Sequence, residues 1–534
     1  MGVKIRGLAV VLLAGLLLSL PAGYDCDHFA KWLFATAFVH SLAWSVVILW
    51  LIHCHQRLVA SFFTVIYLLF FLETASYLVV GARINETVMT IVMQTNFQEA
   101  WEFARNYLIS WRALGVLIVA CVLYVVMIRW VTGTQLDRLF KTRLQRVLAF
   151  VVALGGLVFP LIPLSWTNHG YNTVAGLYHS VQFVEESHSD VDRIVTLMDS
   201  IRVVQQPETS EAPVIVLVIG ESFNKYHSPL YGYPLQTTPR LCAEKRLVVF
   251  DQASSPVCFT HSAMRYIMSL KSCDNHQADD PLQHVLLPAV FKQAGYRVGY
   301  FDNQFTRVKV GFNDYSCGYF YSPQRISDRC FDLRNDLIDK YDGTFIERYR
   351  DLFLKEPKSL NIIHLFGQHL KAKIRYPESF SYFKGSDIPR EDLDEQEREI
   401  VAEYDNATRY HDMVVGMILD AFREQDAVVV YLSDHGDNIY DGPGHRYGRT
   451  AGGLTDEESK KNIREIPFLV WCSETFLQKR PEVYERLCLR AHQPVCLDDV
   501  AHLLFDLGGI TCNFSTPSRS LLSPTYLPHL TAIE

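Results

Sequence analysis

The chain has 534 residues, with 50 Lys plus Arg, 58 Asp plus Glu and 49% hydrophobic residues; it is too long for one ordinary domain and too apolar to be disordered. Charge is unevenly placed, with a net +5 on residues 1 to 165 and a net −13 on residues 166 to 534. An acidic larger module repels phosphate backbones, which excludes nucleic acid as the main partner.

Apolar runs at residues 7 to 22, 29 to 52, 58 to 81, 113 to 130 and 147 to 165 each approach the roughly 20 residues that cross a bilayer as a helix. They predict a transmembrane module over residues 1 to 165, with five helices. Lys4 and Arg6 ahead of a short apolar stretch and Pro21, Ala22 and Gly23 also fit a cleavable signal peptide; the spans that come directly after favour retention. Lys4, Arg6, Arg57 and the cluster Arg138, Lys141, Arg143 and Arg146 fall on alternate sides of successive spans, which places them in the cytoplasm. Five spans then put residues 166 to 534 outside it, in the periplasm of a bacterial inner-membrane protein.

Between spans three and four, residues 82 to 112 form a periplasmic loop with Trp101 and Trp111, suited to an amphipathic interfacial helix. Glu73 lies inside span three, where a carboxyl is costly: it is either functional or a paired or snorkelling side chain. Residues 166 to 212 read as a linker helix and a polar tether ending in QQPETSEAP.

From Pro213 the pattern changes. Short apolar, β-rich runs at 213 to 220, 246 to 251, 297 to 301, 360 to 366, 427 to 433 and 466 to 471 are each followed by a helical stretch. Continuous apolar strands alternating with helices predict an α/β domain over 213 to 534, its mainly parallel sheet covered on both faces. Nine of the 12 cysteines, at 242, 258, 273, 317, 330, 472, 488, 496 and 512, lie in this module without a CxxC pair. Disulfides are their expected use in an oxidising compartment. Cys317 with Cys330 and Cys488 with Cys496 are nearest in sequence, but spacing does not fix connectivity.

In such sheets ligands bind beyond the carboxyl ends of the strands. Run 213 to 220 ends in Glu221-Ser222, and run 427 to 433 ends in Asp434-His435-Gly436-Asp437. Two carboxylates and an imidazole at one sheet edge form a hard oxygen and nitrogen set suited to Zn2+ or another divalent ion.

Eight ordered segments carry a resemblance over nearly the whole chain: VIGESFNKYHSPLYGYPLQTTPRL at 218 to 241, SSPVCFTHSAM at 254 to 264, HLFGQH at 364 to 369, RYPESF at 375 to 380, YDNATRYHD at 404 to 412, SDHGD at 433 to 437, GHRYG at 444 to 448 and IPFLVW at 466 to 471. The sequence resembles the alkaline phosphatase superfamily, with its sulfatase-like fold, and within it the membrane phosphoethanolamine transferases that modify lipopolysaccharide, including the mobile colistin resistance enzymes. The resemblance implies a zinc-dependent transfer of phosphoethanolamine from phosphatidylethanolamine among membrane lipids to a lipid A phosphate or core sugar, by a protein expected to act as a monomer.

It implies that Thr260 is the nucleophile, with Glu221, Thr260, Asp434 and His435 as metal ligands. A threonine hydroxyl needs such a metal, and a helix start adds favourable potential; a plain N-cap role for Thr260, or Ser262 as nucleophile, are the alternatives. The resemblance carries phosphate binding or proton transfer onto His369 and His445, while His364, inside a strand, is expected to be structural. It places Thr95 and Glu99 in the site for the headgroup, where the family's asparagine position is Ile91 here, and it places Lys309, with Arg307 beside it, at the substrate lysine. If lipid A is the acceptor, the added amine would offset phosphate charge and weaken the attraction for polymyxin.

Three other classes remain. A sulfatase needs Cys or Ser in a C/S-x-P-x-R setting, and Cys258-Phe259-Thr260-His261-Ser262 lacks the Pro and Arg. A phosphoglycerol transferase would share the threonine, metal and membrane anchor, and differ in its donor. A non-catalytic membrane sensor would have no need of the ligand set.

Overall fold

The computed structural model describes residues 2–23, 30–53, 55–80, 111–134, 142–144, 147, 151, 191–274, 281–304, 324–369, 371–442, 447–448 and 457–528. The chain divides into two compact units, the first built on Met1–Glu185 and the second on Glu186–Arg449 and Leu454–Glu534.

Four of the five apolar runs of the first unit are helices: α1 (Gly2–Ser19), α2 (Ala30–Ile52), α3 (Gln56–Val80) and α4 (Trp111–Thr132). Most of the fifth run and most of the loop 82 to 112 fall outside the described residues. Among the described residues one stretch, Gln56–Tyr77, is by itself long and apolar enough to cross a bilayer. Val10, Ala14 and Leu17 of α1 pack with Leu49 of α2, Phe63 and Ile66 of α3 and Val131 of α4. A Cβ on Gly15 would sit 3.3 Å from the Leu42 Cα, the close approach that small residues allow between helices in lipid. Tyr67 donates to the Ala120 carbonyl at 2.6 Å, and the Thr64 and Tyr124 hydroxyls meet at 2.9 Å, which fastens α3 to α4. Ile118, Val119, Val122 and Val126 of α4 are exposed, an apolar stripe that water disfavours and lipid accepts. Glu73 is buried.

The second unit is organised by a seven-stranded sheet. Its strands are β1 (Val214–Gly220), β2 (Leu247–Phe250), β3 (Arg297–Asp302), β4 (Leu333–Arg334), β5 (Ser359–His364), β6 (Ala427–Ser433) and β7 (Phe468–Cys472), in the order β2-β7-β6-β1-β5-β3-β4. The six predicted runs are six of these strands. In β1, Ile215, Leu217 and Ile219 enter one core while Val214, Val216 and Val218 enter the other. Burial on both faces is why the run is continuously apolar, and each such side chain gains about 1.5–3 kcal/mol by leaving water.

The sheet is mixed, which refines the mainly parallel expectation. β1 runs parallel to β5 and β6, while β7 is antiparallel to both β6 and β2. A strand buried on both faces has the same apolar pattern in either direction, so sequence does not set its sense. Residues 191 to 200 are helical, and Val203–Gln205 pairs antiparallel with Thr511–Cys512; this part of the expected linker is built into the second unit.

Three helices flank the carboxyl edge of the sheet or brace its turns: α5 (Thr260–Met268), α6 (Asp342–Phe353) and α7 (Glu395–Phe422). α7 starts at a reciprocal cap, with Asp394 accepting from the Glu397 amide at 2.8 Å and Glu397 accepting from the Asp394 amide at 3.0 Å, which satisfies two of the helix's orphan donors.

Candidate metal and nucleophile centre

β1 and β6 are neighbours, and their register pairs Gly220 with Ser433. The next residue on each strand is therefore Glu221 on one and Asp434 on the other, side by side at the carboxyl edge, and the Asp434 amide donates to the Gly220 carbonyl at 3.1 Å. Glu221, Asp434 and His435 are all completely buried, and one ligand atom from each lies within 4.8 Å of the others. His435 Nε2 is 3.3 Å from Glu221 Oε1 and 3.1 Å from Asp434 Oδ2.

Thr260 joins them from α5. Its hydroxyl donates to Glu221 Oε2 at 2.8 Å and lies 3.4 Å from His435 Nε2. The N-cap of α5 is Phe259, and Thr260 is the first helical residue. Its oxygen is therefore committed to the carboxylate cluster and not to capping, at the end of a helix that favours negative charge. Ser262 instead meets His261 Nε2 at 2.9 Å. Burial, with help from Arg265, pulls the His261 pKa down to about 4.

The donors fit a divalent cation. His435 Nδ1 lies 2.8 Å from the Gly436 carbonyl; a carbonyl only accepts, so Nδ1 carries the proton and Nε2 presents its lone pair. That lone pair faces two carboxylate oxygens. Among the described residues no donor is aligned on buried Asp434 Oδ2, even with Nε2 only 3.1 Å away. A buried acceptor without a donor is costly, and three lone-pair atoms converging on one point need a positive charge between them. The histidine with its second nitrogen fixed by a backbone carbonyl is the arrangement that orients a ligating imidazole.

The backbone around the cluster is constrained. Ser222 has φ +57°, and its hydroxyl donates to Glu221 Oε1 at 2.6 Å. Tyr404 of α7 braces this turn: its hydroxyl donates to the Ser222 carbonyl at 2.7 Å and accepts from the Asn224 amide at 2.8 Å. Behind it, buried His227 lies between Asp405, 2.7 Å from Nδ1, and Asp441, 3.2 Å from Nε2. Burial opposes its charge, but Asp441 and Asp405 outweigh burial and raise its pKa to about 10.

On the other side, β5 leads to Gly367, whose φ of +50° and position against the Glu221 backbone, 2.9 Å from a would-be Cβ, exclude a side chain. Asp342 of α6 accepts the Phe366 and Gly367 amides, both at 2.9 Å. The Gln368 amide donates to the Glu221 carbonyl at 3.1 Å, which sets half-buried His369 on the same rim. Arg375 reaches back to it, with Nε donating to the His369 carbonyl at 2.9 Å. His364 is buried, with Nδ1 3.2 Å from Asp302; burial disfavours its charge, but Asp302 raises its pKa on balance. Gln304, which nothing in the sequence singles out, bridges Glu221 Oε2 at 3.2 Å, His364 Nε2 at 3.0 Å and the Leu365 carbonyl at 3.0 Å. Its only sequence signal is its place just past the end of β3. His445, Thr95, Glu99, Lys309 and Arg307 lie outside the described residues.

Residues 213–510 match the sulfatase family, which is more than half of the chain. The chain belongs to the sulfatase family. Among curated relatives, phosphoethanolamine transferase EptC of Escherichia coli O18:K1:H7 (strain RS218) is 27% identical over 484 residues, covering 84% of this chain and 79% of the relative. The crystal structure of the C-terminal periplasmic domain of E. coli EptC in complex with Zn is 28% identical, with a TM-score of 0.53 over 61% of this chain and 91% of that one. The integral membrane protein lipooligosaccharide phosphoethanolamine transferase A of Neisseria meningitidis shares the fold, at 18% identity and a TM-score of 0.61 over 97% of both chains. Within this family the chain lacks the C/S-x-P-x-R setting at 258 to 262 that a sulfatase's own nucleophile requires.

Proposed function

We propose that this sulfatase-family protein is a phosphoethanolamine transferase of the bacterial inner membrane: a multi-pass module of five helices over residues 1 to 165 anchors a periplasmic catalytic domain over 213 to 534. It takes phosphoethanolamine from phosphatidylethanolamine and delivers it to a phosphate or sugar hydroxyl of lipopolysaccharide. The observation that carries this reading is the Thr260 hydroxyl donating to Glu221 Oε2 at 2.8 Å inside the Glu221, Asp434 and His435 group. The EptC relative, similar over most of both chains, supports the choice of transferred group.

In the first half-reaction the bond from Thr260 Oγ1 to phosphorus forms and the bond from phosphorus to the diacylglycerol oxygen breaks. The Thr260 proton leaves along its hydrogen bond to Glu221 Oε2, and His369 or His445 protonates the departing oxygen. In the second, an acceptor oxygen bonds to phosphorus as the bond from phosphorus to Thr260 Oγ1 breaks; the same histidine takes the acceptor's proton, and Glu221 returns its proton to Thr260. Glu221, Thr260, Asp434 and His435 would hold a zinc ion, which supplies charge stabilisation at the phosphoryl oxygens and favours the threonine alkoxide. Thr95, Glu99 and Lys309 are assigned to the headgroup and substrate on the family resemblance. A membrane anchor fits the chemistry, because donor and acceptor are both lipids.

The test is the mass spectrum of lipopolysaccharide from a sensitive host that expresses the wild-type protein or Thr260→Ala. The expected result is one added phosphoethanolamine with wild type alone, on lipid A or core; unmodified lipopolysaccharide in both strains would reject this acceptor class.

A further inference from the structure

Cys273 and Cys496 are 223 positions apart in sequence, yet their Sγ atoms lie 3.8 Å apart. Both are held there by their backbones. Cys496 belongs to the short strand Val495–Cys496, which pairs in parallel with Ala253–Ser254, and it is buried. The Cys273 amide donates to Asp498 Oδ2 at 2.8 Å. Arg519 clamps that aspartate at 2.5 Å and Asp499 at 2.8 Å, and Tyr526 donates to Asp499 Oδ2 at 2.9 Å.

We propose that Cys273 and Cys496 form a disulfide that staples the nucleophile's helix to the rest of the catalytic unit. Closing the bond needs the sulfurs to approach by about 2 Å. Two thiols lose two electrons and two protons to a disulfide of the compartment, a protein or small-molecule oxidant that is reduced to two thiols in exchange. The bond rests on the proposed periplasmic placement of the catalytic domain, since disulfides persist only in an oxidising compartment.

The alternative occupant is a second metal ion, because Asp498 could complete a Cys, Cys, Asp set. The local chemistry disfavours it. Asp498 Oδ2 already accepts from the Cys273 amide and from Arg519, and the guanidinium supplies the positive charge a cation would bring. Burial, the Cys273 contact and the Asp498 charge all raise the Cys496 thiol pKa well above the usual range, which opposes the thiolate a metal requires.

Position gives the bond its purpose. Ala253–Ser254 leads into α5, and Cys273 comes one short segment after its last residue, Met268. Both flanks of α5 are therefore tied to Val495–Cys496, by strand pairing before Thr260 and by the disulfide after it.

The detergent-solubilised full chain is reduced, equilibrated with glutathione disulfide, alkylated, digested and mapped by mass spectrometry. The expected result is a peptide joining Cys273 to Cys496, present in wild type and in Cys488→Ser and absent from Cys273→Ser and Cys496→Ser. The oxidised protein should melt higher than the reduced by on the order of 10 °C. Both single variants and the double variant should share the lower Tm and no longer respond to reductant. Alkylation of both residues after oxidation, a link from Cys496 to another cysteine, or loss of bound zinc from Cys273→Ser would overturn the pairing. Alkylation of intact bacteria separates the two claims: a link formed in vitro but missing in cells upholds the pairing and counts against the periplasmic placement alone.

Discussion

Replacing Gly436 with alanine should damage metal binding without touching a ligand. A Cβ at this position would lie 2.0 Å from the Asn462 carbonyl oxygen and 3.2 Å from that of Ile463. The clash is with main chain, and the Gly436 amide already donates to the Ile463 carbonyl at 2.6 Å, so no rotamer relieves it. The two segments must part by about 1 Å, at a cost of about 1–3 kcal/mol for an overpacked site. The shift passes directly to His435, whose Nδ1 is oriented by the Gly436 carbonyl at 2.8 Å. Disturbing such a supporting contact typically costs about 10–100-fold in metal affinity, or about 1.4–2.7 kcal/mol. Urea unfolding of the chelated protein measures the first quantity and calorimetric zinc titration the second. Asn462→Ala in the same background should not rescue either, because the offending atom is backbone. Gly436→Ala with wild-type zinc affinity would refute the claim that this carbonyl orients the ligating imidazole.

Asp434→Asn tests the donor set itself. The amide oxygen can still accept from the Ser222 and His435 amides, which donate to Asp434 at 3.2 and 2.8 Å, so metal-free stability should stay within about 1 kcal/mol of wild type. Zinc should no longer raise the Tm; a zinc-induced rise equal to wild type would remove Asp434 from the ligand set. For His227, the folded pKa of about 10 exceeds the unfolded value of about 6.5. Its contribution is therefore complete below pH about 6.5 and is lost as pH rises through about 10. The stability difference between wild type and His227→Gln, from urea midpoints at several pH values, should shrink across that window, and a flat difference would contradict a charged, doubly paired imidazole.

Much of the site was legible because register does the work. β1 and β6 pair in parallel with Gly220 beside Ser433, so the first charged residue after each strand, Glu221 and Asp434, had to meet at one edge. Thr260 was reachable only through the family resemblance, since nothing in Cys258-Phe259-Thr260-His261-Ser262 distinguishes its hydroxyl from that of Ser262; the structure separates them by partner, Glu221 for one and His261 for the other. Gln304 gave no signal beyond its place after a strand, as a carboxamide there looks the same whether it supports a carboxylate or faces water. β4 has only two residues, too few to show a period, and the sense of β7 is invisible in a doubly buried strand. The contact between Cys273 and Cys496 depends on tertiary folding across 223 positions, where proximity in sequence pointed to Cys488.

The most direct test of the central claim is the intact mass of the full-length protein after incubation with zinc and phosphatidylethanolamine, for wild type, Thr260→Ser and Thr260→Ala. One phosphoethanolamine adduct is expected on wild type, an adduct on the serine variant, and none on the alanine variant, whose loss of one hydrogen bond costs only about 1 kcal/mol of stability. An adduct on folded Thr260→Ala, or a glycerol phosphate adduct formed only from phosphatidylglycerol, would contradict it.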